Sequence, residues 1–164
     1  TTFLSQFITF FPFKLESLDG GFRELSDLRG KIVLLNFFAS WCEPCVEEAP
    51  ALQRLQSAFE GTGFTILGVA SGDEREAVAN FRKRFGLTFP ILLDDGRIAQ
   101  EIYRTTGFPE SFLLSAQGSM LMINDPQDGS PLVRLIGPRK WDSPAMKAQL
   151  TSLLKNLPKS AATK

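Results

Sequence analysis

The run Ile32-Val33-Leu34-Leu35-Asn36-Phe37-Phe38 constrains the fold more than any other part of this sequence. It is apolar on both alternating faces, so neither face can lie against water, and it reads as a strand buried within a parallel-type sheet. Such a strand requires cover on both sides. Helical spacing of Ala49, Leu52, Leu55 or Gln56, and Phe59 supplies one cover, and Gly61 and Gly63 end that element. Pro50 falls inside the helix and offers no donor to the carbonyl of Val46, so a kink is expected there.

The same alternation continues along the chain. Phe64 to Ala70 and Phe89 to Leu93 read as further buried strands, with a helix between them that buries Val78, Phe81 and Phe85. Asp73 and Glu76 have the spacing of a capping box at the start of that helix. Ile98 to Tyr103 is a short helix. Phe112 to Ser115 and Met120 to Ile123 flank the turn Ala116-Gln117-Gly118-Ser119, and Leu132 to Ile136 is one more strand after a polar loop. Ser143-Pro144 opens a last helix carrying Met146, Leu150, Leu153, Leu154 and Leu157. Near the front, Lys14 to Leu18 and Phe22 to Leu25 flank Asp19-Gly20-Gly21 as a β-hairpin. The pattern predicts one α/β domain over residues 13–157, with a central mixed β-sheet and helices on both faces. A chain of 164 residues has room for one such domain. Residues 1–12 are an apolar lead-in, open to two readings: the remnant of a removed signal or membrane anchor, or an aromatic approach to the first strand. Residues 158–164 have no apolar face and are expected to be a mobile tail.

Composition then removes whole classes of chemistry. There is no histidine, which excludes Ser-His-Asp and Cys-His catalysis and His-ligated zinc. Eighteen basic residues balance eighteen acidic ones, which argues against nucleic-acid partners. The two cysteines, Cys42 and Cys45, cannot complete a tetrahedral metal site, and a bridge between them closes too short a loop to staple a fold.

Their position gives them another use. Trp41-Cys42-Glu43-Pro44-Cys45 lies between the buried strand and the helix, so unpaired N–H groups and the helix dipole favour a thiolate at Cys42. Two intervening residues bring Cys45 within disulfide reach, so the pair can cycle between dithiol and disulfide. Pro44 sits in the first turn, where its missing N–H costs nothing.

The segment Val33 to Cys45, followed by Glu48, Ala49 and Pro50, resembles the active-site strand and helix of thioredoxin-like proteins. Within them it is most similar to the TlpA/ResA/CcmG (DsbE) branch of extracytoplasmic thiol–disulfide oxidoreductases, which serves cytochrome c biogenesis. Leu25-Ser26-Asp27-Leu28-Arg29-Gly30-Lys31 resembles that branch's lead-in, and Gly107-Phe108-Pro109-Glu110-Ser111-Phe112 its cis-proline loop. Gly137-Pro138-Arg139-Lys140-Trp141-Asp142 resembles its ending, and the stretch from Cys45 to Phe112 holds an extra helix–strand insertion. The resemblance implies a thioredoxin-like fold in which Cys42 attacks and Cys45 resolves. It implies a cis Pro109 facing the cysteines, where the backbone of Phe108 can pair with an extended substrate segment. It also implies no cofactor beyond the redox-active Cys42–Cys45 disulfide, no metal, and a periplasmic or cell-envelope location. The partners it implies are a disulfide-containing protein substrate and an upstream electron-donor protein, itself membrane-embedded in one version.

Departures from the pattern mark the open points. Asn36 stands where thioredoxins proper keep a buried acid. Glu48, three residues after Cys45, matches the glutamate of the ResA-like branch and is either a proton relay for Cys45 or a solvated helix-face carboxylate like Glu47. Trp41 is expected beside the sulfurs or as a core aromatic. Glu43 places negative charge near the thiolate without a cationic neighbour in the motif, which points to a reductant rather than an oxidant. A polar loop, Asn124 to Pro131, is read as a plain hairpin connection. Two alternatives carry less weight. A thiol peroxidase needs a Thr three residues before its cysteine, where Ala39 precedes Cys42, and a non-catalytic binding module leaves the cysteine pair unexplained.

Overall fold

The computed structural model describes residues 11–157. The lead-in as far as residue 10 and the tail from Pro158 lie outside the described residues. Strands β1 (Lys14–Ser17) and β2 (Phe22–Glu24) form the expected hairpin, followed by a 3-10 turn at Leu25–Leu28. Strand β3 (Ile32–Phe38) is buried over its whole length, and α1 (Glu43–Ala58) runs without interruption through Pro50, which lies on the exposed side. Then come β4 (Phe64–Ser71), α2 (Arg75–Phe85), β5 (Ile91–Asp94), α3 (Ile98–Tyr103) and β6 (Glu110–Leu114). Short strands β7 (Met120–Leu121), β8 (Ile123–Asn124), β9 (Pro131–Leu132) and β10 (Leu135–Ile136) precede α4 (Pro144–Lys155).

The sheet order is β10-β6-β3-β4-β5-β1-β2, with β7 also on β6, and β8 pairs with β9 apart from it. Strands β3, β4 and β5 are parallel, whereas β6 and β1 run antiparallel to their neighbours. This is the mixed sheet, with the α2–β5 insertion between β4 and α3. On one face Ile32, Leu34 and Phe38 pack with Leu52 and Leu55 of α1, Val78 and Phe81 of α2, and Met146 and Leu150 of α4. On the other face Val33, Leu35 and Phe37 pack with Ala99 and Tyr103 of α3 and with Phe112. The two-sided apolar pattern of β3 thus generates two cores, each worth about 25 cal/mol per Å² of apolar surface removed from water.

Three local expectations are corrected. Asp73 and Glu76 do not form a capping box: Glu74 is the N-cap of α2 and makes no side-chain cap bond. The Asp73 carboxylate instead turns toward Ser40, accepting from its backbone N at 2.5 Å and its hydroxyl at 3.0 Å. The strand expected over Leu132 to Ile136 divides, because Pro131–Leu132 pairs with β8 while Leu135–Ile136 crosses to β6. The change of partner falls beside Arg134, whose side chain reaches away to Glu110. Met120 to Ile123 divides likewise, between β6 and β9, with an exposed Met122 at the break.

Candidate active site

The cysteines lie where β3 hands over to α1. Cys42 is the N-cap of α1, its backbone N donates to Ala39 O at 3.2 Å, and Pro44 is in the first turn. Cys42 and Cys45 are joined as a disulfide with their Cα atoms 5.2 Å apart. The backbone N of Cys45 donates to Cys42 Sγ at 3.3 Å, so an orphan donor of the helix start points at the sulfur. A thiolate there gains the positive end of a helix of 16 residues. Asp73 holds Ser40, two residues upstream, and so fixes the loop that delivers Cys42.

Opposite the disulfide lies the α3–β6 loop. The Phe108–Pro109 peptide is cis, the geometry expected for it, and the Phe108 carbonyl oxygen sits 3.4 Å from Cys42 Sγ. Trp41 is not a core aromatic. Its side chain is 69% exposed and packs edge-on against Phe108 with ring centroids 6.0 Å apart. Together Trp41 and Phe108 form an aromatic lip beside the sulfurs. Glu43 is exposed on the same surface.

Behind the disulfide, one helical turn beyond Cys45, Glu48 is only 1% exposed, so the reading of a solvated helix-face carboxylate falls. Its Oε1 accepts from Asn36 Nδ2 at 2.8 Å, and its Oε2 accepts from Trp141 Nε1 at 2.9 Å and from the backbone N of Arg139 at 3.1 Å. Burial pushes its pKa up to about 7, against those hydrogen bonds and the Arg139 charge, which favour the ionised form. Such a carboxyl exchanges a proton near neutral pH. Its outer side borders a cleft of about 770 Å³ between α1 and the loops at Pro126–Gln127 and Pro138–Asp142.

Sequence reading missed the residues that make this environment. In the sequence Asn36 marks only the loss of an acid. Here it donates both to Glu48 and to Ser111 Oγ, at 2.8 and 2.9 Å, so the acid absent from the strand is supplied from the helix and held by the strand. Trp141 and Arg139 lie 93 and 91 positions from Glu48, beyond any local pattern. Arg139 is itself held by a buried ion pair with Asp125 at 2.7 Å, in the loop that does prove to be a hairpin, between β8 and β9. Among the described residues no group of three or more His, Cys, Asp or Glu could hold a metal ion, and no helix is long and apolar enough to cross a membrane.

Residues 9–121 match the sequence profile of the AhpC/TSA family. The thiol-disulfide oxidoreductase ResA of Bacillus subtilis is 39% identical over 111 residues, covering 68% of this chain and 62% of ResA. ResA of Geobacillus kaustophilus is also 39% identical, over 68% of this chain and 64% of its own. The chain thus spans about three fifths of the length of these curated relatives. Among solved structures, a thiol:disulfide interchange protein of the thioredoxin family from Chlorobium tepidum superposes with a TM-score of 0.67 at 27% identity, over 87% of this chain and 93% of that one. A secreted disulfide oxidoreductase of Mycobacterium tuberculosis, homologous to E. coli DsbE, gives a TM-score of 0.62 at 26% identity, over 72% and 87%.

Proposed function

Because the chain belongs to the AhpC/TSA family of thioredoxin-like proteins, we propose that it is a thiol–disulfide oxidoreductase that reduces disulfides in exported proteins. The observation that carries this reading is the Cys42–Cys45 disulfide at the start of α1, facing the Phe108 carbonyl, with the buried Glu48 behind it. The Cys42 thiolate attacks one sulfur of the partner's disulfide, and the partner's other sulfur leaves and takes a proton. Cys45 then gives its proton to Glu48 and attacks Cys42, which releases the second partner thiol; Glu48 passes the proton on. The sum is one dithiol oxidised and one disulfide reduced, and a donor dithiol resets the pair without a further cofactor. Trp41, Phe108 and Pro109 bind the extended segment around the partner's disulfide, with Glu43 and Pro44 setting the charge and shape of the motif.

The substrate proposed is an oxidised apocytochrome c or a similar exported protein. The reducing character argued from Glu43 and the resemblance of the Val33 to Cys45 segment to the branch that serves cytochrome c biogenesis support that choice. The same substrate class and the likeness to a secreted Mycobacterium tuberculosis protein support an extracytoplasmic location. The electron donor is then a cell-envelope protein, membrane-embedded in one version. Ala39, fully buried before Cys42, supplies no hydroxyl of the kind a thiol peroxidase uses.

A turnover assay tests the proposal, with a disulfide-containing protein as substrate and a dithiol as electron source. Turnover that disappears in Cys42→Ser is expected, with peroxide consumed no faster than by free thiol. Equilibration against glutathione should give a potential more negative than about −200 mV; a value near about −120 mV would overturn the reductant reading.

A further inference from the structure

One charge pair, a buried carboxylate with a half-buried guanidinium, lies outside the chemistry above. Glu110, the residue after Pro109, is 0% exposed, and its Oε2 accepts from Arg134 Nη1 at 2.5 Å. Its Oε1 accepts from the backbone N and the hydroxyl of Thr106 at 3.2 and 3.3 Å. The Arg134 fork continues to the other end of the same loop, with Nη2 donating to Tyr103 O at 2.8 Å and Nη1 to Arg104 O at 3.1 Å. Arg104 is there in the left-handed conformation, φ 54°, which a non-glycine residue adopts at a cost. The guanidinium also lies over the Phe112 ring, 4.9 Å from its centroid.

From this geometry we infer that Glu110 and Arg134 are positioning residues that clamp the α3–β6 loop at both ends. They thereby set where the Phe108 backbone stands opposite Cys42. The bond from Thr106 to Glu110 encloses just Gly107, Phe108 and Pro109, of which the Phe108 carbonyl stands 3.4 Å from Cys42 Sγ. Such a pair is a poor means of adding stability, because desolvating the Glu110 carboxylate offsets its attraction to a guanidinium that is still 35% exposed. A planar fork can, however, grip a carboxylate and two carbonyls at once, which no apolar side chain does. The pair is suited to direction.

This rests on the thiol–disulfide reading above, and the experiment separates the two. Arg134→Lys, Glu110→Gln and the exposed-site variant Thr106→Val are compared with the unmodified chain. The readouts are reduction of a peptide disulfide, reaction of the dithiol with a small aromatic disulfide, and hydrogen exchange at the Thr106 amide. Failure of the earlier reading shows as an unmodified chain that does not reduce the peptide. If the clamp acts as inferred, Arg134→Lys and Glu110→Gln raise KM for the peptide about tenfold with kcat nearly unchanged, the size of one charge-assisted hydrogen bond. Thr106→Val raises it about threefold, again by the loss of a single weaker bond. Small-disulfide reactivity should stay level while Thr106 exchanges faster. A parallel fall in both reactions, or an unchanged KM in Thr106→Val with Arg134→Lys also unchanged or unfolded, overturns the inference.

Discussion

Replacing Glu48 by Gln isolates the one buried carboxyl of the site, and the magnitude follows from its environment. Glu48 is expected near 4.5 in the unfolded chain and is pushed to about 7 in the fold. The folded state therefore holds the proton more tightly. Stability from this group is fully present below about pH 4.5 and is lost as pH rises through about 7, a total of about 3 kcal/mol at 1.36 kcal/mol per unit. Between about pH 5 and pH 8.5, roughly 2 kcal/mol of that loss should be readable as a fall of about 1 M in the urea midpoint. The chain has no histidine, and cysteines held in a disulfide do not titrate, so little besides the terminal amine obscures the window. The variant should fold. Asn36 can turn its amide to accept where it now donates, and Ser111 can turn its hydroxyl to match. Urea titrations of the oxidised protein across this range should show the unmodified chain weakening with pH and Glu48→Gln staying nearly flat. Parallel curves for the two proteins would refute the argument.

Other outcomes follow from the same geometry. In the reduced protein, Glu48→Gln should ionise the thiols at lower pH and slow resolution of a mixed disulfide, as seen by thiol titration and single-turnover exchange. Glu47→Gln, an exposed change one residue away, should do neither. Gly68→Ala should cost about 1–3 kcal/mol by denaturant titration, since its Cβ would stand 3.1 Å from Phe38 Cε1 and 3.2 Å from Phe89 Cε2. Asp125→Asn should cost about 3 kcal/mol in the same measurement by leaving the Arg139 guanidinium, 9% exposed, without its counter-charge. The exposed Asp128→Asn change in the same loop should cost well under that.

The large elements were legible because their signals are local. Ile32 to Phe38 and Ile98 to Tyr103 fall where periodicity puts them, and Ser143 caps α4 as its sequence implies, accepting from the Met146 N. Asp73 shows where local reasoning stops: its spacing to Glu76 fits a cap, yet the nearby Ser40 offers two donors and wins the carboxylate. The cysteine pair was legible for the same reason as the strands, since its chemistry comes from the strand before it and the helix after it. The setting of Glu48 was not. Its partners come from β3 and from the loop before α4, and only the closed fold decides whether a helix-face glutamate meets water or an indole N–H. Trp41 is the converse, an aromatic whose pattern fits burial and whose neighbour, the Phe108 ring, holds it at the surface.

Strand β6 carries a consequence for how this chain can change in length. Just ahead of it the Phe108 carbonyl faces Cys42 Sγ, Glu110 points to the face of Tyr103 and Arg134, and Ser111 points to the opposite face, where it meets Asn36. Three residues within a span of four thus serve three separate surroundings, and a strand alternates its faces with a period of two. Inserting or deleting one residue between Pro109 and Phe112 would exchange those surroundings, turning the Glu110 charge toward the face of Leu113 or taking the Phe112 ring away from Arg134. The β8–β9 loop between Asp125 and Ser130 sits at the far end of a short hairpin, and a residue added at its exposed tip disturbs no alternation. Length variation should therefore be tolerated at that tip and eliminated at β6, a contrast that an insertion library scored for soluble, active protein would display directly.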